Sequence, residues 1–446
     1  MIIRFIVSNL FSFGKEQEFS MLPNRRYQTL LQHMHHHADS DFDVLKIASL
    51  YGANGAGKSN MIKSIKALRE MVISEDVNLH TFRHKFLSDD TSQVLALEFF
   101  SGDTPYVYAV ETLKDYVVEE TLYISGLGKK PDQLVFSRKV NGDKTCFQFS
   151  DEFESDPEGK VLKSVIEQNL SKPNKLSLKM LSELKRKGFE PIKECYSWFK
   201  DKLVVLSPNS KPVGLAMDID RNEDFNTFAN NLLCTLSTGI DELFTLSKPV
   251  KEESLPSSLV EQMKKDFRSS PDVCISVKGK AGNDIVYTCD GENIYSLELK
   301  SKHSGDHGEK VDFDLGEESD GTLRLLDFLP MCNALLSTDQ VYLVDEIERS
   351  IHPLLIKEML RKLSVKSNIN GQLIFTTHES NLLDQKIFRK DEIWFAEKRK
   401  DGSTDLYSLS DFKEHHSIDI SKGYLTGRYG GIPFTGNLRD LNWEDK

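Results

Sequence analysis

Residues Gly52-Ala53-Asn54-Gly55-Ala56-Gly57-Lys58-Ser59 combine three glycines with a lysine and a hydroxyl directly after the last of them. Glycines at this spacing let a backbone wrap an oxyanion and aim successive N–H groups at it. Lys58 supplies a cation for β/γ-phosphate oxygens, the Ser59 hydroxyl a ligand for Mg²⁺, and Asn60 continues into the element behind the loop. A glycine turn of no chemical consequence requires neither the lysine nor the hydroxyl. The pattern implies a nucleoside triphosphate held with Mg²⁺.

Further along the chain, Asp345-Glu346 ends the apolar run Val341-Tyr342-Leu343-Val344. Two carboxylates at the end of a buried run are costly unless both are used. The pair suits Asp345 as a holder of Mg²⁺ and Glu346 as the general base that polarises an attacking water. The run Leu373-Ile374-Phe375-Thr376-Thr377 delivers His378, which suits contact with a γ-phosphate. Taken alone it reads as an ordinary strand-end histidine. Glu318-Ser319-Asp320-Gly321-Thr322-Leu323-Arg324 precedes the helical pattern Leu325, Leu326, Phe328, Leu329. Ser319 and Gly321 then stand at a helix N-terminus, either as a plain N-cap or as an anion site built from exposed N–H groups.

Those side chains need a frame. The run Leu45 to Tyr51 reads as the strand that feeds the glycine loop, and Asn60 to Met71 as the helix that leaves it. The runs ending in Asp345 and His378 read as two further strands, which predicts an α/β fold with a mixed sheet, flanking helices and an antiparallel β subdomain.

The order of these motifs resembles the ABC-type P-loop ATPases related to RecF, the SMC proteins and the OLD nucleases. Within that group the chain is similar to the abortive-infection and anti-phage ATPases, the AbiL- and RloA-like proteins and the ATPase subunit of the PARIS system. The similarity extends to Met1 to Phe5, Asn9 to Phe13, Leu97 to Phe99, Tyr106 to Tyr108, Glu119 to Leu122 and Tyr424 to Pro433. It implies ATP and Mg²⁺ as cofactors, ATP hydrolysis by Lys58, Glu346 and His378, and a homodimer or higher oligomer whose composite sites add Ser319 and Gly321 of one subunit to the phosphate loop of the other. It also implies a separate toxin or nuclease effector in phage defence, with DNA or a phage protein as trigger. The alternative is a RecF/SMC-like repair ATPase that binds DNA. The chain departs from transporter-type relatives in its D-loop, Ile347 to Pro353, where His352 is the candidate bridge between active sites, and it offers only Gln93 for a Q-loop.

The nucleotide motifs lie in both halves of the 446 residues, so one head interrupted by an insertion is the economical reading. The expected parts are an N-terminal lobe over 1–150, a compact helical insertion over 151–250 and a C-terminal lobe over 251–446. The insertion either covers the core or docks a partner. Prolines at 173, 191, 208 and 212 argue against a long coiled coil there. No run approaches the about 20 apolar residues that span a bilayer, so a cytoplasmic protein without a membrane partner is expected. Six cysteines without a Cys-x-x-Cys pair suit reduced, mostly buried thiols. A net charge of −12 opposes sequence-independent binding of nucleic acid, and Lys185-Arg186-Lys187 and Lys398-Arg399-Lys400 read as solvated faces. The cluster His33 to His37 reads as a polar loop ahead of the nucleotide strand.

Overall fold

The computed structural model describes residues 1–432 apart from 143, 213, 237, 252–254, 270–274, 279–283, 291–292, 366–368 and 413–418. Cys274, Ser237 and Pro433 therefore lie outside the described residues. The chain forms two compact units, one of Met1–Pro208, Leu335–Ile347 and Leu360 onward, the other of Asn209–Ala334 and Glu348–Met359. The expected α/β class, with a mixed sheet and an antiparallel sheet, is present.

In the first unit, strand Ile47–Tyr51 is buried at all five positions. Such a continuously buried strand belongs inside a parallel sheet covered on both faces. It sits between Gln372–Thr376 and Ile393–Lys398, with Val341–Val344 and Leu203–Leu206 continuing the parallel order and Thr404–Ser408 closing the far edge antiparallel. Helix Lys58–Ser74 follows the loop and buries Met61, Ile62, Ile65, Leu68 and Val72, one apolar face at helical spacing.

A seven-stranded antiparallel sheet runs from Lys144–Phe149 at one edge to Gln17–Ser20 at the other, with Ile2–Ser8 next to that edge. Gln372 fastens the two sheets together. Its side chain accepts the Ile2 N–H at 2.7 Å and donates to the carbonyls of Ile2 at 2.9 Å and Leu45 at 2.8 Å. The amide is fully buried, and both its oxygen and its nitrogen are satisfied by backbone.

The segment expected as one helical insertion is divided by the structure. Residues 151–208 pack on the antiparallel sheet, where Trp198 stacks on Phe99 at 4.0 Å and Phe153 and Phe189 join Phe149. They end in Leu203–Leu206, a strand of the parallel sheet. Its pairing partner, Val341–Val344, carries Asp345, which ties this stretch to the first unit. The second unit starts at Asn209 and is not purely helical. Helices Leu215–Arg221 and Glu223–Thr235 share a core with Leu326 and Leu329, and an antiparallel sheet includes Glu242–Pro249 and Asn293–Ser304. Among the described cysteines Cys195 and Cys332 are buried, whereas Cys146 and Cys234 are exposed, against the expectation of mostly buried thiols. Among the described residues no helix is long and apolar enough to cross a membrane.

A second buried joint holds the 172–178 turn to the antiparallel sheet. Glu120 accepts the N–H groups of Ser177 and Leu178, the Tyr108 hydroxyl at 2.8 Å and the Arg138 guanidinium at 3.2 Å. Arg138 also donates to the carbonyls of Lys172 and Lys175. Both side chains are fully buried. Replacing Glu120 with alanine strands the guanidinium and two N–H groups, at a cost of about 3–5 kcal/mol. The neighbouring Glu119–Lys139 pair is partly exposed, and its loss costs at most about 1 kcal/mol. Urea titrations of Glu120→Ala and Glu119→Ala are expected to differ accordingly, and equal midpoints would remove the joint's structural importance.

Candidate functional site

The parallel strands end together, where open α/β sheets place ligands. Register sets Thr376 opposite Leu50 and Phe375 opposite Val344. The glycine loop after Tyr51, Asp345 after Val344 and His378 after Thr376 are thereby brought to one rim.

Two glycines are needed there for close approach. A Cβ at Gly52 would lie 2.4 Å from the Ala396 carbonyl oxygen. At Gly57, with φ 108°, it would lie 2.3 Å from the Thr404 hydroxyl and 2.7 Å from that of Ser12. These two hydroxyls clamp the loop from outside. Thr404 donates to the Ala56 carbonyl and contacts Ser12 Oγ, both at 2.8 Å, and Asn60 Nδ2 donates to Ser12 Oγ at 2.8 Å. Asn54 and Gly55 are exposed at the tip, and Ala53 is half-buried.

Lys58 is 5% exposed, and its ammonium donates to the carbonyls of Gly52 at 2.8 Å and Ala53 at 3.1 Å. It also lies 3.2 Å from His378 Nδ1. An ammonium only donates, so Nδ1 accepts and the imidazole carries its proton on Nε2. Lysine and histidine are therefore already coupled in the folded chain.

Asp345 Oδ1 accepts the Ser59 hydroxyl at 2.9 Å and the Thr376 hydroxyl at 2.6 Å. Thr376 Oγ1 in turn accepts the Glu346 N–H at 2.8 Å. Glu346 has φ 52°, a left-handed conformation that costs a non-glycine residue of order 1–3 kcal/mol and persists only where surroundings hold it. The Thr376 hydroxyl and the Thr376 carbonyl, which accepts the Ile347 N–H at 3.1 Å, supply that hold. The hard oxygens of Ser59 and Asp345 lie in direct contact and suit Mg²⁺.

A cavity of about 410 Å³ opens beside the loop, bordered by Ser12 and Asn60. Phe11 and Phe82 form its aromatic wall with ring centroids 5.2 Å apart, and Arg83, Lys85 and Lys398 supply cations. Planar faces and cations of this kind suit a nucleoside base.

Ser319 and Gly321 belong to the second unit. Ser319 Oγ accepts the Thr322 N–H at 3.1 Å, which makes it the N-cap of helix Asp320–Ser337. A Cβ at Gly321 would lie 2.7 Å from the Ser350 carbonyl oxygen, so that turn also needs glycine. His352 is exposed and its Nδ1 accepts the Leu354 N–H.

Two expectations are corrected. Gln93 is buried in the antiparallel sheet, where it accepts the Thr112 hydroxyl at 3.1 Å. The histidine cluster is not a polar loop, because Met34–His37 pairs as a strand with Phe42–Leu45. His33 is buried between Glu392, 2.8 Å from Nδ1, and the Ser364 carbonyl, 3.2 Å from Nε2. Among the described residues no group of three or more candidate ligands is placed to hold a metal ion. Ser12, Thr376 and Thr404 were missed by sequence reading. Their only signal is position, with Ser12 inside the Asn9 to Phe13 segment and Thr376 two residues before His378.

Residues 219–384 match a family model described as "AAA domain, putative AbiEii toxin, Type IV TA system". The matched stretch holds Ser319, Gly321, Asp345, Glu346 and His378 and lies apart from the glycine loop in sequence. No curated protein matches the chain. Solved structures similar to it include the SMC head domain from Thermotoga maritima, at 12% identity and TM-score 0.38 over 91% of this chain and 98% of that one. Another is an SMC head with an extended coiled coil bound to the C-terminal domain of ScpA, derived from Pyrococcus furiosus, at 12% identity and TM-score 0.41 over 96% and 98%. A third is an SMC head bound to the C-winged helix domain of ScpA, at 12% identity and TM-score 0.41 over 91% and 97%.

Thr376→Val keeps the shape of the strand end and removes the hydroxyl that serves both acids. The Glu346 N–H then loses its partner, at a cost of about 1–3 kcal/mol. A lower melting temperature than that of the native chain is expected in scanning calorimetry. A native melting temperature in this variant would separate Thr376 from the hold on Glu346.

Proposed function

We propose that this chain is an ABC-type ATPase that binds and hydrolyses Mg²⁺-ATP at sites shared between two copies and uses nucleotide state to control a separate toxin or nuclease in phage defence. The carrying observation is the Asp345 carboxylate with the Ser59 and Thr376 hydroxyls on one oxygen, beside the Lys58–His378 pair.

The loop N–H groups receive the phosphates, and Lys58 exchanges the Gly52 and Ala53 carbonyls for β/γ oxygens. Ser59 and Asp345 would hold Mg²⁺, which would offset the charge that develops on the phosphoryl oxygens. Glu346 takes the proton of the attacking water, and His378 contacts the γ-phosphate. The cavity beside Asn60 takes the base. Ser319 and Gly321 of a second copy complete each site, so that ATP closes the dimer and hydrolysis opens it. The match over residues 219–384 to a family described as a putative toxin of a toxin–antitoxin system supports a place for this chain in a system of that kind.

Head-to-tail sharing makes a quantitative prediction. Lys58→Ala and Ser319→Arg subunits are each inactive alone, yet their heterodimer joins one sound phosphate loop to one sound signature. With random pairing an equal mixture should recover roughly a quarter of native phosphate release, since half the dimers carry one working site of two. A mixture that stays inactive while heterodimers form would refute the shared site.

The charge of −12 argues against a repair ATPase that loads on DNA. Anisotropy with duplex DNA should show no affinity that falls steeply between about 50 and 200 mM salt. A steep fall would instead favour the RecF/SMC-like role.

A further inference from the structure

The segment after Asp419 has no part in the site described so far, yet it lies against the start of the phosphate loop. Helix Ile420–Leu425 is capped by Asp419, whose side chain accepts the Lys422 N–H. Tyr424 is buried, and its hydroxyl donates to the Gly431 carbonyl at 3.1 Å. Gly431 has φ 64°, and a Cβ there would lie 3.6 Å from Gly52 Cα and 3.5 Å from the Ala396 carbonyl oxygen. The turn is therefore moulded onto the first residue of the loop.

Aromatic packing fixes the tyrosine's place. The Tyr424 ring stacks on Phe395 at 5.6 Å and meets Tyr51 edge-on at 6.0 Å. Tyr429 stacks on Phe395 at 5.9 Å, and the Tyr407 hydroxyl donates to the Tyr429 carbonyl at 2.7 Å. The same helix packs on the turn Ser380–Leu382, which begins two residues after His378. One short helix thus touches both the entry of the loop and the segment that leaves the switch histidine.

We propose that Tyr424 is a positioning residue for the nucleotide site: its hydroxyl holds the Gly431 turn against Gly52, whose carbonyl holds Lys58, and its helix braces the turn behind His378. This role rests on the ATP reading above. Gly52 is in contact with the Gly431 turn through its Cα and with the Lys58 ammonium through its carbonyl. Anchoring one side keeps the loop's N–H groups aimed when the ammonium departs for phosphate, which is preorganisation of a binding site. Ground-state binding of nucleotide is the quantity that should depend on it.

The test uses the full chain. Tyr424→Phe keeps the stacked ring and deletes the hydroxyl, while Phe412→Leu loosens the same aromatic cluster, where Phe412 meets Tyr407 and Tyr429, without touching Gly52. Tyr424→Phe is expected to raise both KM and the calorimetric Kd for Mg²⁺-ATP about tenfold, the equivalent of one hydrogen bond worth about 1.4 kcal/mol, with kcat within about twofold. Phe412→Leu is expected to lower Tm and leave KM native. Gly431→Ala, which shifts the carbonyl that Tyr424 holds, should raise KM in the same direction if Tyr424→Phe does not fold. Unchanged KM in Tyr424→Phe, or an equal KM rise in Phe412→Leu, would overturn the positioning role and leave the ATP reading intact. A wild-type chain that binds no Mg²⁺-ATP would instead sink both.

Discussion

A single carboxylate oxygen, Asp345 Oδ1, organises the rim of the parallel sheet. It takes one hydroxyl from the helix behind the glycine loop and one from the end of the neighbouring strand. Asp345 is only 6% exposed, and a buried carboxylate without donors would not be tolerated. The two donors reach it only because the strands are parallel and in one register, so that residues distant in sequence finish level. Glu346's left-handed backbone and the seat of the glycine loop follow from that alignment. A slip of one residue in any of these strands would turn Thr376 or Asp345 to the opposite face and take the joint apart.

The residues proposed to carry chemistry are legible because their information is local. Three glycines, a lysine and a serine at fixed spacing declare a phosphate loop, and two acids at the end of an apolar run declare their strand. The residues that hold these in place were not legible. Ser12 and Thr404 meet across 392 positions of sequence, and a serine or threonine hydroxyl has no pattern that announces its partner. Glu120 is similar, since its donors come from Arg138, Tyr108 and the 177–178 backbone, and nothing in the run Glu119-Glu120 tells which acid is buried. The division of the chain escaped for a related reason. Four residues, Leu203–Leu206, form too short a run to read as a strand, yet they assign everything before them to the first unit.

Two buried polar side chains of the first unit, Gln372 and His33, each tie together segments distant in sequence. Gln372 does this between the two sheets. His33 does it at the base of the nucleotide strand, where the Ser364 carbonyl requires an N–H on Nε2. The Nδ1 contact with Glu392 must then hold a proton on one atom or the other, and burial pushes the Glu392 carboxyl up toward the protonated form. Such joints contribute little net stability when complete and cost much when broken, so they specify one arrangement of the strands over its competitors.

The place of Ile47–Tyr51 has a consequence for biosynthesis. Its sheet neighbours on either side are strands that leave the ribosome long after it, Gln372–Thr376 and Ile393–Lys398. At about 5–20 residues per second the nascent chain carries an unpaired apolar strand, and a glycine loop with nothing behind it, for tens of seconds. Parallel pairing between such distant segments is slow to form even once both are present. A newly made copy therefore lacks the assembled rim through most of its synthesis and depends on protection of that strand from aggregation. Ribosomes stalled before residue 372 yield chains that have a complete phosphate loop and no site.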